Sequence, residues 1–240
     1  MKNKKILITA IILIIAAMLT GFLIASRSEQ RDLPLTGETE LSVEVPQIDG
    51  ESIVLKDSKN VTAKITDKVP SMSSMACYAY SYSEDELING ENHAIFRGKV
   101  RKLINVLINF GKSKEYRCIL YIEVTALIDC DIAIGDTVAV LLPFPIAEGY
   151  HTSIGSVAEN ITEGTEGIFI TTVYDETSIF EVNDSTLYLN ELAKYGLPDG
   201  ERYLFIETDG GLMYSEDCYP KAKNANGLDD IEKYIKTVLK

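Results

Sequence analysis

Ala94-Ile-Phe-Arg-Gly-Lys-Val-Arg101 and Arg117-Cys-Ile-Leu-Tyr-Ile-Glu-Val124 are the stretches that decide the fold. In the first, Ala94, Phe96, Gly98 and Val100 alternate with Ile95, Arg97, Lys99 and Arg101. In the second, Cys118, Leu120, Ile122 and Val124 alternate with Arg117, Ile119, Tyr121 and Glu123. A strand turns successive side chains to opposite faces, so this period of two is the pattern of a β-strand.

Strand signals continue on both sides. Downstream, Gly135-Asp136 turns into the apolar run Thr137-Val-Ala-Val-Leu-Leu142, which Pro143 ends. Residues 167–174 read as another strand, and 179–189 as a hairpin about Asn183-Asp184. Residues 190–195 read as one or two helical turns, ended by Gly196 and Pro198. Residues 202–208 and 212–214 form a further hairpin across Asp209-Gly-Gly. Upstream, 41–45 alternates as a half-buried strand does, and Ile53 and Leu55 pair with 61–65 across the turn Asp57-Ser-Lys-Asn60. Ser83-Glu-Asp-Glu86 is a capping box, which predicts a short helix over 84–89. Residues 228–239 predict an amphipathic helix with Leu228, Ile231, Ile235 and Val238 on one face. Asp229 and Asp230 open it, and Asp229/Lys233 and Glu232/Lys236 are spaced to pair.

Many short strands with few helices and no βαβ alternation predict a mainly β domain, an antiparallel OB-like barrel or sandwich. The order Ala94-Ile-Phe-Arg-Gly-Lys-Val100, then residues 116–124, then Ile134-Gly-Asp-Thr-Val-Ala-Val140, then Glu166-Gly-Ile-Phe-Ile170, resembles exported or membrane-anchored proteins of Gram-positive bacteria that carry a small OB-like β-barrel. The resemblance covers about residues 75–215. It implies a fold and a location, and brings no catalytic residues.

The N-terminus gives an address. Residues 1–5 carry three lysines, and 6–25 run without a charge. Twenty helical residues at about 1.5 Å each span roughly 30 Å, the depth of a bilayer core. The lysine cluster predicts a cytoplasmic N-terminus, a transmembrane signal-anchor over 6–25 and a single pass through the cell membrane. Residues 26–40 read as a stalk, and 41–240 as an extracytoplasmic domain with its barrel core at about 92–215. The competing reading is a cleaved secretory signal, which makes the protein secreted. Leu23-Ile-Ala-Ser26 fits a cleavage site poorly, and no Cys follows the span closely enough for lipid attachment. Leu33-Pro-Leu-Thr-Gly37 resembles a sortase signal, but it precedes the domain instead of following it.

All 36 acidic residues and 20 of the 23 basic ones follow the span, a net charge of −16. That argues against nucleic-acid binding, which needs a cationic surface. Within this acidic domain, residues 92–114 hold no carboxylate and six cations. Arg97, Lys99 and Arg101 sit on one face of the expected strand, a stripe suited to anionic lipid or an anionic surface polymer. Solvated cations balanced by neighbouring acidic strands are the plainer reading. Tyr78, Tyr80 and Tyr82 repeat at period two and read either as a binding face for sugars or peptides or as packing against the domain.

The four cysteines form no CxxC pair. Cys77 with Cys218 is the candidate disulfide; buried free thiols are the alternative. Two histidines, His93 and His151, stand without HExxH, GxSxG or GxGxxG. Phe110-Gly-Lys-Ser113 lacks the leading glycine of a phosphate loop, and Asp129-Cys-Asp131 fails as a calcium loop at Ala133. His151, with Tyr150 beside it and Glu148 near, has the ingredients of acid–base chemistry but no nucleophile with it. No cofactor and no metal site is expected. The sequence therefore points to a membrane-anchored extracytoplasmic binding or accessory module, whose partner is an envelope protein or anionic polymer. The alternative is a cell-envelope enzyme of hydrolase type using dispersed carboxylates.

Overall fold

Two long strands organise the domain. β5 (His93–Asn109) and β6 (Lys114–Asp129) form one antiparallel hairpin, closed by a turn at Gly111, where φ is +78°. The structure is a computed structural model that describes residues 46–75, 78 and 81–239. The expected membrane span, the stalk, the strand over 41–45, Cys77 and Tyr80 lie outside the described residues. Among the described residues, no helix is long and apolar enough to cross a membrane.

The β5–β6 register shifts where Val100 faces Ile122 but Lys102 faces Tyr121, so Arg101 is an inserted residue. A bulge of one residue turns every following side chain to the other face. Ala94, Phe96 and Val100 accordingly join one apolar core, while Ile104, Val106 and Ile108 join a second. β6 divides in the same way: Cys118, Leu120, Ile122 and Val124 enter the first core, and Ile119 the second. β7 (Thr137–Leu142) sends Val138, Val140 and Leu142 to the first and Ala139 and Leu141 to the second. Burial on both faces explains its unbroken apolar run.

Around this hairpin the pairings form a ring. β6 pairs with β7, and β7 runs parallel to the two-residue β12 (Tyr195–Gly196). β12 lies antiparallel to β9 (Glu166–Val173), and β9 returns antiparallel to β5 with Phe96 opposite Phe169. Gly98 faces Gly167 across β5 and β9. A Cβ at Gly98 would lie 2.5 Å from Ile122 Cγ2 and 2.8 Å from the Glu123 carbonyl oxygen, and one at Gly167 would lie 2.8 Å from the Phe205 oxygen. Glycine at both positions allows the strands to approach this closely.

The sheet extends past the ring on both flanks. Beyond the second half of β5 come β3 (Thr62–Ile65), β2 (Ser52–Ile53) and β1 (Ile48–Asp49). Beyond β9 come β13 (Leu204–Thr208) and β14 (Gly211–Met213). Two small sheets stand apart: β4 (Met72–Ser74) with β8 (Tyr150–Thr152), and β10 (Ile179–Val182) with β11 (Ser185–Tyr188).

Helices cover the third core. α1 (Glu84–Ile88) is closed by the predicted capping box: Ser83 Oγ accepts the Glu86 N–H, and Glu86 accepts the Ser83 N–H. Its Leu87 and Ile88 meet Ile95, Ile168, Ile170 and Phe205, as do Leu228, Ile231 and Ile235 of α2 (Leu228–Val238). Each such side chain contributes on the order of 1.5–3 kcal/mol by leaving water.

The chain is mainly β, as expected. Three local expectations change. Tyr195–Gly196 is a strand instead of a helix end, because β7 and β9 offer it backbone partners on both sides. The β4–β8 and β7–β12 pairings are parallel. Asp229 binds Arg97 instead of Lys233, whose ammonium turns to Asp230.

Candidate functional site

The tyrosine segment meets the domain at Arg202. Asp199, only 2 % exposed, builds the site from a tight turn. Its Oδ1 accepts the Glu201 and Arg202 N–H groups at 3.0 and 2.7 Å, and its Oδ2 accepts Arg202 Nε–H at 2.8 Å. That fixes the guanidinium plane against three rings: 3.6 Å from the Tyr78 centroid, 5.4 Å from Tyr82 and 5.7 Å from Tyr203. The Tyr78 hydroxyl donates to Glu201 at 2.6 Å, and the Tyr219 hydroxyl to the Arg202 carbonyl at 2.6 Å. Burial, reinforced by the bond to Glu201, raises the Tyr78 pKa, so its phenol stays protonated. Burial works to lower the Arg202 pKa, but the Asp199 carboxylate outweighs it and raises it.

Tyr78 and Tyr82 remain 39 % and 43 % exposed. Two ring surfaces thus lie beside a carboxylate and a guanidinium. Flat apolar faces next to paired donors and acceptors are suited to stacking and hydrogen bonding a sugar or a peptide. Of the predicted stripe, Tyr78 and Tyr82 come together and Tyr80 lies outside the described residues. The sequence reading missed Asp199, Glu201 and Arg202. An Asp two and three residues before the N–H groups it accepts is the available signal, since that spacing favours a side chain closing a turn.

The basic stripe is met by carboxylates. Arg97 contacts Asp229 at 2.5 Å and Glu166 at 3.8 Å, Lys99 contacts Glu166 at 3.6 Å, and Arg101 contacts Glu123 at 2.5 Å. The bulge separates Arg101 from the other two, which share Glu166.

A second feature is an open cleft of ≈ 590 Å³ beside α1, lined by Asp85, Glu86, Asn89, Gly90, Asn92, His93 and Asp129. Half-buried His93 donates to the Ile88 carbonyl. Burial lowers its pKa, against the pull of the Asp129 charge and that bond. The imidazole is therefore biased to its neutral form among three carboxylates.

His151 has a carboxylate partner, though Glu159 takes the place expected of Glu148. Its Nδ1 lies 3.0 Å from Glu159 Oε2, while Glu159 Oε1 accepts the Thr152 N–H at 2.7 Å. Cys118, Cys130 and Cys218 are free thiols. Among the described residues, no group of three or more His, Cys, Asp or Glu is placed to hold a metal ion. No protein-family model, curated protein or solved structure matches this chain.

Proposed function

We propose that this protein is a membrane-anchored, extracytoplasmic binding or accessory module on an OB-like barrel, and that it engages its partner through Tyr78, Tyr82 and the Arg202–Glu201 edge. The observation that carries this reading is the placement of two half-exposed tyrosine rings against a guanidinium that Asp199 holds through Nε. The ring of pairings β5–β6–β7–β12–β9–β5 supports the barrel, because a sheet whose last strand pairs with its first has no edge within that circuit. The uncharged run over 6–25 behind three lysines supports the anchor. A partner on the outer face of the membrane, an envelope protein or a wall polymer, follows from that address.

The test is a cross-linking pull-down of the full-length protein from its native envelope, compared with residues 1–40 alone and with Tyr78→Ala/Tyr82→Ala. A partner captured by the wild type and lost by both controls supports the reading. Capture that survives the double substitution removes the tyrosines from the interface.

One observation favours the alternative, a cell-envelope hydrolase. The cleft gathers Asp85, Glu86 and Asp129 around a half-buried neutral imidazole, and carboxylates with a neutral base are what acid–base hydrolysis uses. Turnover of an envelope glycan or peptide by the wild type and its loss in His93→Gln or Asp129→Asn would decide for the enzyme.

A further inference from the structure

Glu191 is bound as a ligand is bound. Its Oε1 accepts the backbone N–H groups of Lys56 at 2.5 Å and Asp57 at 2.6 Å. Its Oε2 accepts the Ser58 N–H at 3.2 Å and also the Ser58 hydroxyl. Successive N–H groups that converge on one anion make a backbone nest, the device by which loops hold phosphate and carboxylate ligands. Here the anion comes from more than 130 residues away in the same chain, from a 3₁₀ turn at Leu189–Glu191 that follows β11. Ser58 Oγ also accepts the Tyr188 N–H at 3.0 Å, so one hydroxyl serves both segments.

The contact has a mechanical position. Residues 56–58 lie between β2 and β3. The nest joins that segment to the β10–β11 hairpin, alongside reciprocal backbone bonds between Lys59 and Thr186 at 2.8 and 3.0 Å. Four donors on one carboxylate give a bond that depends on its charge, because bonds to an ionised acceptor are about twice as strong as neutral ones.

We infer that residues 56–58 form a carboxylate-binding nest filled in cis by Glu191, and that this contact is a latch which opens when the carboxylate is removed or neutralised. The other charged side chains of the segments that meet here are Lys56, Asp57 and Lys59 on the turn and Glu181 and Asp184 on the hairpin. The three on the turn are exposed, so the backbone and Ser58 supply the donors to Glu191. Burial alone raises the Glu191 pKa, but the Ser58 hydroxyl and the backbone N–H groups outweigh it and hold it below the ordinary carboxylate value.

Hydrogen exchange on the whole protein tests the latch. In Glu191→Ala the amides of Lys56, Asp57 and Ser58 exchange about tenfold faster, as expected when a charge-assisted cluster worth about one factor of ten is lost. Sodium acetate restores their protection in that variant, sodium chloride at equal ionic strength does not, and neither alters the wild type. Unchanged protection in Glu191→Ala, or equal recovery with both salts, overturns the proposal. Should Glu191→Ala fail to fold, Glu191→Gln keeps the shape and one acceptor. Its three amides then show intermediate protection, and wild-type protection there overturns the proposal as firmly.

Discussion

The Arg202 guanidinium stacks 3.6 Å from the centre of the Tyr78 ring while its Nε–H is held by Asp199. The two contacts make different demands. Stacking needs a planar cation, and the buried carboxylate needs a charge. Arg202→Lys keeps the charge but loses the plane and the fork, so it costs about 1–2 kcal/mol and weakens capture of the partner. Arg202→Ala leaves Asp199 buried without a counter-charge, at a cost of about 3–5 kcal/mol. Asp199→Asn/Arg202→Ala keeps the acceptor for the Glu201 and Arg202 N–H groups without the charge. It therefore unfolds at higher urea than Arg202→Ala alone. Additive losses in urea denaturation would refute a charge-based role for the pair.

What the sequence made legible follows from what local pattern can carry. The strands over 94–101 and 117–124 were readable because one face of each is continuously apolar and buried, while Arg97, Lys99, Arg101, Tyr121 and Glu123 on the other reach solvent. The real strands run on to Asn109 and from Lys114, and that extension was missed. Past the bulge at Arg101 the buried parity belongs to a different core, and residues 104–108 read as an apolar run without a clear period. The capping box at Ser83 was legible because its partners are three residues apart. The Arg202 site was not, because Tyr78 and Glu201 meet across 123 residues. The parallel β7–β12 pairing was hidden for the same reason, with a strand of two residues too short to show any period.

Glu84 ties α1 to the chain ahead of α2, and its bonds predict acid sensitivity. Its carboxylate receives Lys221 Nζ at 2.7 Å and the Lys221 N–H at 3.0 Å. Burial alone raises its pKa; the bonds from Lys221 outweigh burial and lower it. A lowered folded-state pKa contributes stability that is present above the unfolded value and lost as the pH falls through the folded one. The window thus opens near pH 4.5, the ordinary value, and extends below it. Glu84→Gln should cost roughly 1–2 kcal/mol at neutral pH, since Lys221 is itself exposed. Across that acid window the gap to the wild type narrows. Urea unfolding at stepped pH checks this, and a gap that stays constant through the window would remove Glu84 from the acid response.

Thiol reactivity separates the cysteines. Cys118 is fully buried on β6, and burial pushes its thiol up to about 12. Burial raises Cys130 as well. The thiolate is the reactive form, so a thiol reagent should leave Cys118 unmodified until the protein unfolds. Cys218 is partly exposed and free in the structure, and it should label in the native protein. Peptide mapping without reductant then decides the pairing. A linked Cys77–Cys218 peptide would establish the disulfide, and an alkylated Cys218 would dismiss it.

The cations of β5 offer the last test, because their charges are already answered. Arg97 lies between Asp229 and Glu166, Lys99 faces Glu166, and Arg101 faces Glu123. Exposed pairs of this kind contribute about 0–1 kcal/mol each, so Arg97→Gln/Lys99→Gln/Arg101→Gln should fold with a modest loss of stability. The same pairing bears on lipid binding. A polybasic segment draws anionic head groups by unneutralised charge, at about 1 kcal/mol per cation, and these three carry little net field beside three carboxylates. Sedimentation with anionic vesicles should thus give equal, weak binding for the triple variant and the wild type at any salt concentration. Salt-sensitive binding by the wild type that the variant loses would instead mean that lipid phosphates displace Glu166, Asp229 and Glu123, and would return the stripe to the functional surface.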